Sequence, residues 1–234
     1  ALDVLRRLKQ CVGAARFVHV LKCIQPAAID FRIGRAVLAY EAEHGSFPPA
    51  ATADENGNPM HSWRVLILPY LDRQDLYDMY DFDEAWNGPG NSLLADQIGD
   101  IYRCPSEEET ADHWLDEETG FLDTSYMMIV GPNTITDGPS AQSLSDVTDV
   151  PYDTFLVVET GQSGIHWMDP RDLAEEQIAR ESYDPALPMI WGEHFLGAHA
   201  VMCDGSIRNV SNSIEPDQLK AMSTIGGGES VWKY

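Results

Sequence analysis

Glu193, His194, His199, Cys203 and Asp204 fall within one short stretch near the C-terminus, and they are the residue types from which a transition-metal site is built. Their spacing argues against it. On an extended strand His194 and His199 point to opposite faces, and Asp204 is taken up by a turn. The expectation is a structural histidine that fixes the loop before a hairpin; a metal-dependent hydrolase built on His194 and His199 is the weaker reading, and the metal is unknown. Asp54-x-Asn56-x-Asn58 opens like a calcium loop, but Pro59 stands where that loop needs Gly and Val65 where it needs a bidentate Glu, so a turn is expected. No Gly-x-Ser-x-Gly elbow is present, and Gly161-Gln162-Ser163-Gly164 has no clear helix behind it. Carboxylate pairs for glycosidase chemistry do not stand out among 38 acids. Trp63, Trp86, Trp167 and Trp191, each near Gly, Asn or His, would be either buried anchors or an aromatic platform for sugars. No reaction follows from these residues, and the chain reads as non-enzymatic.

The elements that would position these groups centre on Asp204-Gly205. Asp-Gly between two short apolar, β-branched runs predicts a hairpin with a two-residue type I′ turn. That turn sets Met202 opposite Ile207, Val201 opposite Arg208 and His199 opposite Val210. Ala200, Met202 and Ile207 would then share one face, and Val201, Cys203 and Val210 the other. Apolar residues on both faces make the first strand central in its sheet.

Upstream, Leu5, Leu8, Val12, Ala15 and Val18 recur at helical spacing through Leu2 to Cys23, and Pro26 kinks or breaks that helix. Ile29, Ile33, Val37 and Tyr40 continue an apolar stripe that Gly45 ends. Ser62 caps a short helix through Trp63 to Leu68, and further short helices are expected at Gln74–Tyr80, Leu93–Ile98, Leu173–Arg180 and Pro216–Met222. Strands are expected at Ile101–Cys104, Thr124–Val130 and Thr154–Glu159. The fold class is α+β: a long N-terminal helix, then an antiparallel sheet head group with short peripheral helices. The division is an N-terminal helical segment, 1–46, and a globular head group, 47–234.

A net charge of −23 on 234 residues sets this chain against nucleic acid and anionic membrane surfaces. The charge is uneven, since Arg6, Arg7, Lys9, Arg16 and Lys22 face only Asp3 in the first 25 residues. Such asymmetry marks a segment with a job of its own. Cys11, Cys23, Cys104 and Cys203 form no Cys-x-x-Cys pair. On one helix Cys11 and Cys23 would stand roughly 18 Å apart, too far to bond. No run approaches the ~20 apolar residues of a membrane span.

Many short motifs then resemble, in order, a large bacterial family of unknown function with prepilin-type N-termini. His194 followed nine residues later by Asp204-Gly205 is similar to its C-terminal signature. Gly34 to Tyr40 running into His44-Gly45-Ser46-Phe47-Pro48-Pro49 is similar to its first segment, as are Asn58 to Leu66, Leu68-Pro69-Tyr70-Leu71 and Trp86-Asn87-Gly88-Pro89. Tyr102-Arg103-Cys104-Pro105-Ser106, Thr124-Ser125-Tyr126, Gly131-Pro132, Gly164 to Met168 and Pro170-Arg171-Asp172-Leu173 extend the likeness over residues 33 to 232. The resemblance implies a pilin- or pseudopilin-like fold, exported by type IV pilus or type II secretion machinery, with no catalytic residue to carry over. It also implies that such a head group can hold calcium in C-terminal loops; the chain's many oxygen ligands suit that ion, and no position is assigned. One departure stands out: Ala1 to Gln25 carries neither a Phe-Thr-Leu-x-Glu motif nor a long apolar helix, so a membrane anchor is expected to be absent from this chain.

The expected function is that of a structural protein of the cell envelope or extracellular surface. Its partners would be copies of itself or other pilin-like subunits, and it would act through helix-mediated assembly. The other reading is a secreted module that binds carbohydrate or another small solute through loops around Trp86, Trp167 and Trp191.

Overall fold

The computed structural model describes residues 31–104, 123–161, 163–178, 190, 192 and 197–228. The basic helix expected over Leu2 to Cys23, the break at Pro26, Trp191 and His194 lie outside the described residues. Helix α1 (31–44) buries Ile33, Ala36 and Val37 on one side and leaves Phe31, Arg32, Arg35 and Ala39 in solvent, as a 3.6-residue period demands. It ends where Gly45 takes φ +78° and donates its amide to the Glu41 carbonyl at 2.7 Å.

Next come β1 (Ala51–Ala53), β2 (Pro59–Ser62), α2 (Trp63–Leu66) and α3 (Gln74–Met79). The 3₁₀ turn Leu68–Leu71 sits between the two helices, and another, Asn91–Gln97, follows them. Ser62 caps α2 as expected, its hydroxyl accepting the Arg64 amide. The rest of the chain supplies β3 (Tyr126–Met127), β4 (Ile129–Val130), β5 (Thr136–Asp137), β6 (Ser140–Ala141), β7 (Phe155–Glu159) and β8 (Leu173–Ala174). It closes with α4 (Glu175–Ile178), β9 (Ala198–Met202), β10 (Ile207–Val210) and α5 (Pro216–Ser223).

The fold is mixed α and β around an antiparallel four-stranded sheet, β10-β9-β7-β3. β9 is central, buried on both faces. Val201 and Cys203 share one apolar cluster with Ile33 and Val37 of α1, while Ala200, Met202 and Val210 join Met222 of α5 in a second. A second sheet, β6-β5-β4-β8, departs from the antiparallel expectation, since β4 runs parallel to both β5 and β8. Among the described residues, no helix is long and apolar enough to cross a membrane.

Three local expectations are corrected. The hairpin pairs Ile207 with Val201, Arg208 with Ala200, and Val210 with Ala198, one residue away from the type I′ register. Gly205 donates to the Met202 carbonyl at 2.8 Å and has φ +82°, while Asp204 keeps a negative φ. A type I′ turn needs positive φ at both central residues, so the connection is instead a three-residue loop with glycine in the left-handed bulge position. The one-residue shift carries Val210 to the face of Ala200 and Met202. Residues 101–104 form turns rather than a strand, tied to the sheet by Ser125 N to Tyr102 O at 2.8 Å. The expected helix at Leu173 begins as β8, because Leu173 N bonds Met128 O at 3.1 Å before α4 starts.

Candidate functional site

Three groups of chemically capable side chains are in view, and the most enclosed is an ion pair between two sequence-distant motifs. Arg64 on α2 and Asp172 just before β8 meet at 2.8 Å with both side chains fully buried. The guanidinium also donates to Tyr126 O at 3.0 and 2.8 Å and to Ser62 Oγ at 2.8 Å. Asp172 Oδ1 accepts from Trp63 Nε1 at 3.2 Å and Met128 N at 2.8 Å. Arg64 lies 4.9 Å from the Trp63 ring centre, and the Tyr102 hydroxyl donates to the Arg64 carbonyl at 2.7 Å. Burial pushes the Asp172 carboxyl up to about 6, against the pull of Arg64, so it stays ionised at neutral pH. Every described partner is internal to the protein. Chemically this is a clamp that joins α2 to β3 and to the residue before β8.

The second group is the hairpin motif. Asp204, exposed at the tip, accepts the Ser206 amide and hydroxyl at 2.8 and 2.6 Å. Gly205 packs beneath α1, where an added Cβ would come 2.6 Å from Leu38 Cδ1. Burial pushes the Cys203 thiol up, which keeps it protonated. At the far end of β9, the carboxylate of Glu159 (1 % exposed) accepts the His199 amide at 2.8 Å. A Cβ on Gly192 would lie 2.6 Å from that same oxygen. Glu159 was missed in the sequence; its one signal was a charged residue closing an otherwise apolar strand. Asp204 and His199 stand at opposite ends of β9, so the structure does not bring those two together.

The third group is aromatic. Trp167 is 2 % exposed, donates its indole N–H to Ala95 O at 2.9 Å and stacks on Tyr102 at 6.2 Å. Trp63 is fully buried. Half-buried Trp86 stacks on His166, 5.9 Å between centres, and His166 in turn lies 5.9 Å from Trp167. The Trp86 loop is shaped by Asn91, whose amide donates to the carbonyls of Asp81, Glu84 and Ala85. A cavity of about 100 Å³ lies against Trp167 and Tyr102, with Asp96, Asp100, Arg103 and Asp123 in its wall.

Asp54 turns inward on its own loop, accepting from the amides of Asn56 and Asn58 at 2.9 and 2.8 Å and from Asn58 Nδ2 at 2.8 Å. These bonds, the Asn58 side chain first, hold its carboxyl below the usual range. Among the described residues, no group of three or more His, Cys, Asp or Glu is placed to hold a metal ion.

What remains open to a partner is α1 itself. Its inner stripe is seated on β9 so closely that a Cβ on Gly34 would stand 2.6 Å from Val201 Cγ1. Among the described residues nothing covers its outer stripe, Phe31, Arg35 and Ala39, and the Arg35 guanidinium lies 5.7 Å from the Phe31 ring centre.

An antiparallel sheet with a helix laid on its central strand and a carboxy-terminal Asp-Gly hairpin defines the class of protein. The chain belongs to a family described as proteins of unknown function, DUF1559, whose pattern matches residues 32–153. The matched span contains α1, the α2 arginine and the Trp86 loop. No curated protein and no solved structure matches this chain.

Proposed function

We propose that this protein is a non-enzymatic, pilin-like structural subunit of the cell envelope or extracellular surface. It assembles through its N-terminal helical part while the acidic head group faces solvent. The observation that carries this reading is α1 on the sheet: one stripe sealed against β9 at glycine-close distance, the other stripe exposed and unpartnered among the described residues. A helix so held offers a fixed edge to neighbouring helices, which is the arrangement assembly requires. Family membership and the ordered motifs support the same reading by analogy of fold.

Electron microscopy with light scattering, at low and moderate salt and with or without calcium, tests it. Ordered filaments or rings are expected, and Ala39→Lys on the outer stripe should reduce them without lowering the melting temperature. A strict monomer in every buffer defeats the proposal.

The cavity beside Trp167 favours a second reading, a binding module for carbohydrate or another small polar solute, since an aromatic floor with acidic walls suits hydroxyl-rich ligands. A glycan panel read by tryptophan fluorescence decides it; no binder and no spectral change removes it.

A further inference from the structure

A band of aromatic rings links α1, the 3₁₀ turn Leu68–Leu71, α3 and the loop after it. Tyr40 of α1 stacks on His44 at 4.0 Å and meets Tyr70 edge-on at 6.1 Å. The Tyr70 hydroxyl donates to Glu43 at 2.9 Å. Tyr77 of α3 lies near enough to Tyr40 and Tyr70 to raise the pKa of both, after the larger effect of burial. Tyr77 in turn meets Phe82 at 5.1 Å, and Phe82 meets Tyr80 at 5.0 Å. Met79 and Phe82 are 53 % and 36 % exposed, beside four half-buried or buried tyrosines.

The rim of this band is acidic. Glu41, Glu43, Asp72, Asp75, Asp78, Asp81, Asp83 and Glu84 belong to the segments that build it; Arg32 and Arg35 sit further back along α1, and Arg73 is paired with Asp75 at 3.1 Å. Such a surface selects a partner that is cationic and partly apolar: tyrosine faces attract guanidinium and ammonium groups, and Met79 and Phe82 take aliphatic side chains. The chain itself contains a segment of that composition. Residues 1–25 carry Arg6, Arg7, Lys9, Arg16 and Lys22 against Asp3, interleaved with Leu5, Leu8 and Val12.

We propose that the band formed by Tyr40, Tyr70, Tyr77, Met79 and Phe82, with its acidic rim, docks the basic segment 1–25 of a second copy of this chain. Tyr40 and His44 lie towards the carboxyl end of α1, roughly 14 and 20 Å along the axis from Phe31. The band and the segment are different parts of the chain, so a contact between one copy's segment and another copy's band is head-to-tail. Contacts of that kind extend into rings or filaments. This inference rests on the assembly reading and adds to the outer stripe of α1 a second contact surface.

Charge exchange in the full-length chain tests the contact. Asp78→Lys with Asp83→Lys reverses two exposed rim charges, and Arg6→Glu with Arg7→Glu reverses the segment. Each double variant alone should self-associate roughly tenfold more weakly than the natural chain by sedimentation velocity at low salt, with an unchanged circular dichroism melt. An equimolar mixture of the two should recover association, because the acidic segment of one meets the lysine rim of the other. Association that ignores both double variants overturns the inference and leaves assembly standing, through another surface. A natural chain that stays monomeric at all concentrations overturns both.

Discussion

Arg64 and Asp172 meet at 2.8 Å with neither side chain exposed, whereas Arg73 and Asp75 meet at 3.1 Å with 21 % and 64 % of their side chains in solvent. The chemical groups are the same. In the interior, each lost partner leaves a charge or dipole that water cannot reach, so the pair, the Tyr126 carbonyl, the Trp63 indole and Ser62 stand or fall together. At the surface, water replaces either partner at little cost. Charge thus carries different weight in the two places, fastening one motif to another inside and contributing little at the surface.

The largest effect should come from breaking the interior pair. Arg64→Ala is expected to destabilise the fold by about 3–5 kcal/mol, because Asp172 is left buried and unpaired. Replacing both, Arg64→Met with Asp172→Leu, should recover much of the loss in urea denaturation. If the single variant is harmless, the interior and surface pairs do not differ as claimed.

Gly34→Leu comes next. With Val201 Cγ1 only 2.6 Å from the added Cβ, α1 must lift from β9, costing about 1–3 kcal/mol by overpacking. An unchanged thermal midpoint would refute the close seating of the helix.

A smaller and pH-dependent effect is expected at His61, held by Tyr80 Oη and Phe82 O, each at 3.0 Å. Burial lowers its pKa below the usual 6.5. The unfolded chain therefore binds the proton more readily, so the stability contributed by neutral His61 is complete above pH 6.5 and is lost as pH falls through the lowered folded value. The advantage of the natural chain over His61→Gln should shrink between pH 7.5 and 5. Asp172 works in the opposite sense: its carboxyl, raised to about 6, gives a contribution that grows as pH falls from 6 towards 3.8. Asp172→Asn should remove that trend, and denaturant midpoints across the range separate the two groups.

The smallest effect belongs to the surface pair. Asp75→Ala, at its exposed member, should cost a small fraction of what Arg64→Ala does, and added salt should erase part of even that. A loss as large as that of Arg64→Ala would erase the contrast between interior and surface.

Much of the architecture was legible beforehand, and for local reasons. The stripe of Ile33 and Val37, the Gly45 stop, the Ser62 cap and the strand before Asp204-Gly205 each depend on neighbours a few residues away, where periodicity and turn chemistry act directly. The hairpin register was not legible, because Asp-Gly suits both a two-residue turn and a three-residue loop with Gly205 alone in the left-handed region. Trp63, Trp86 and Trp167 drew notice as aromatic residues, yet their type says nothing of depth. The 3₁₀ turn carrying Ala95 and the turn carrying Tyr102 meet Trp167, which is almost wholly covered, while Trp86 remains half-buried beside His166.

By itself the sequence determined the class: an amphipathic helix, strands around an Asp-Gly turn, and an acidic chain with a basic first segment, all set by short-range pattern and composition. Only the tertiary structure decided which charges are sealed and which are offered. Arg64 and Asp172 are separated by 108 residues, and no local rule relates them. They meet because α2, β3 and β8 converge, and the desolvation that follows makes the pair one unit. The aromatic band has the same origin. Tyr40, Tyr70 and Phe82 come from three separate stretches of the chain, and the packing of α1 beside the 3₁₀ turn Leu68–Leu71 brings the first two rings together.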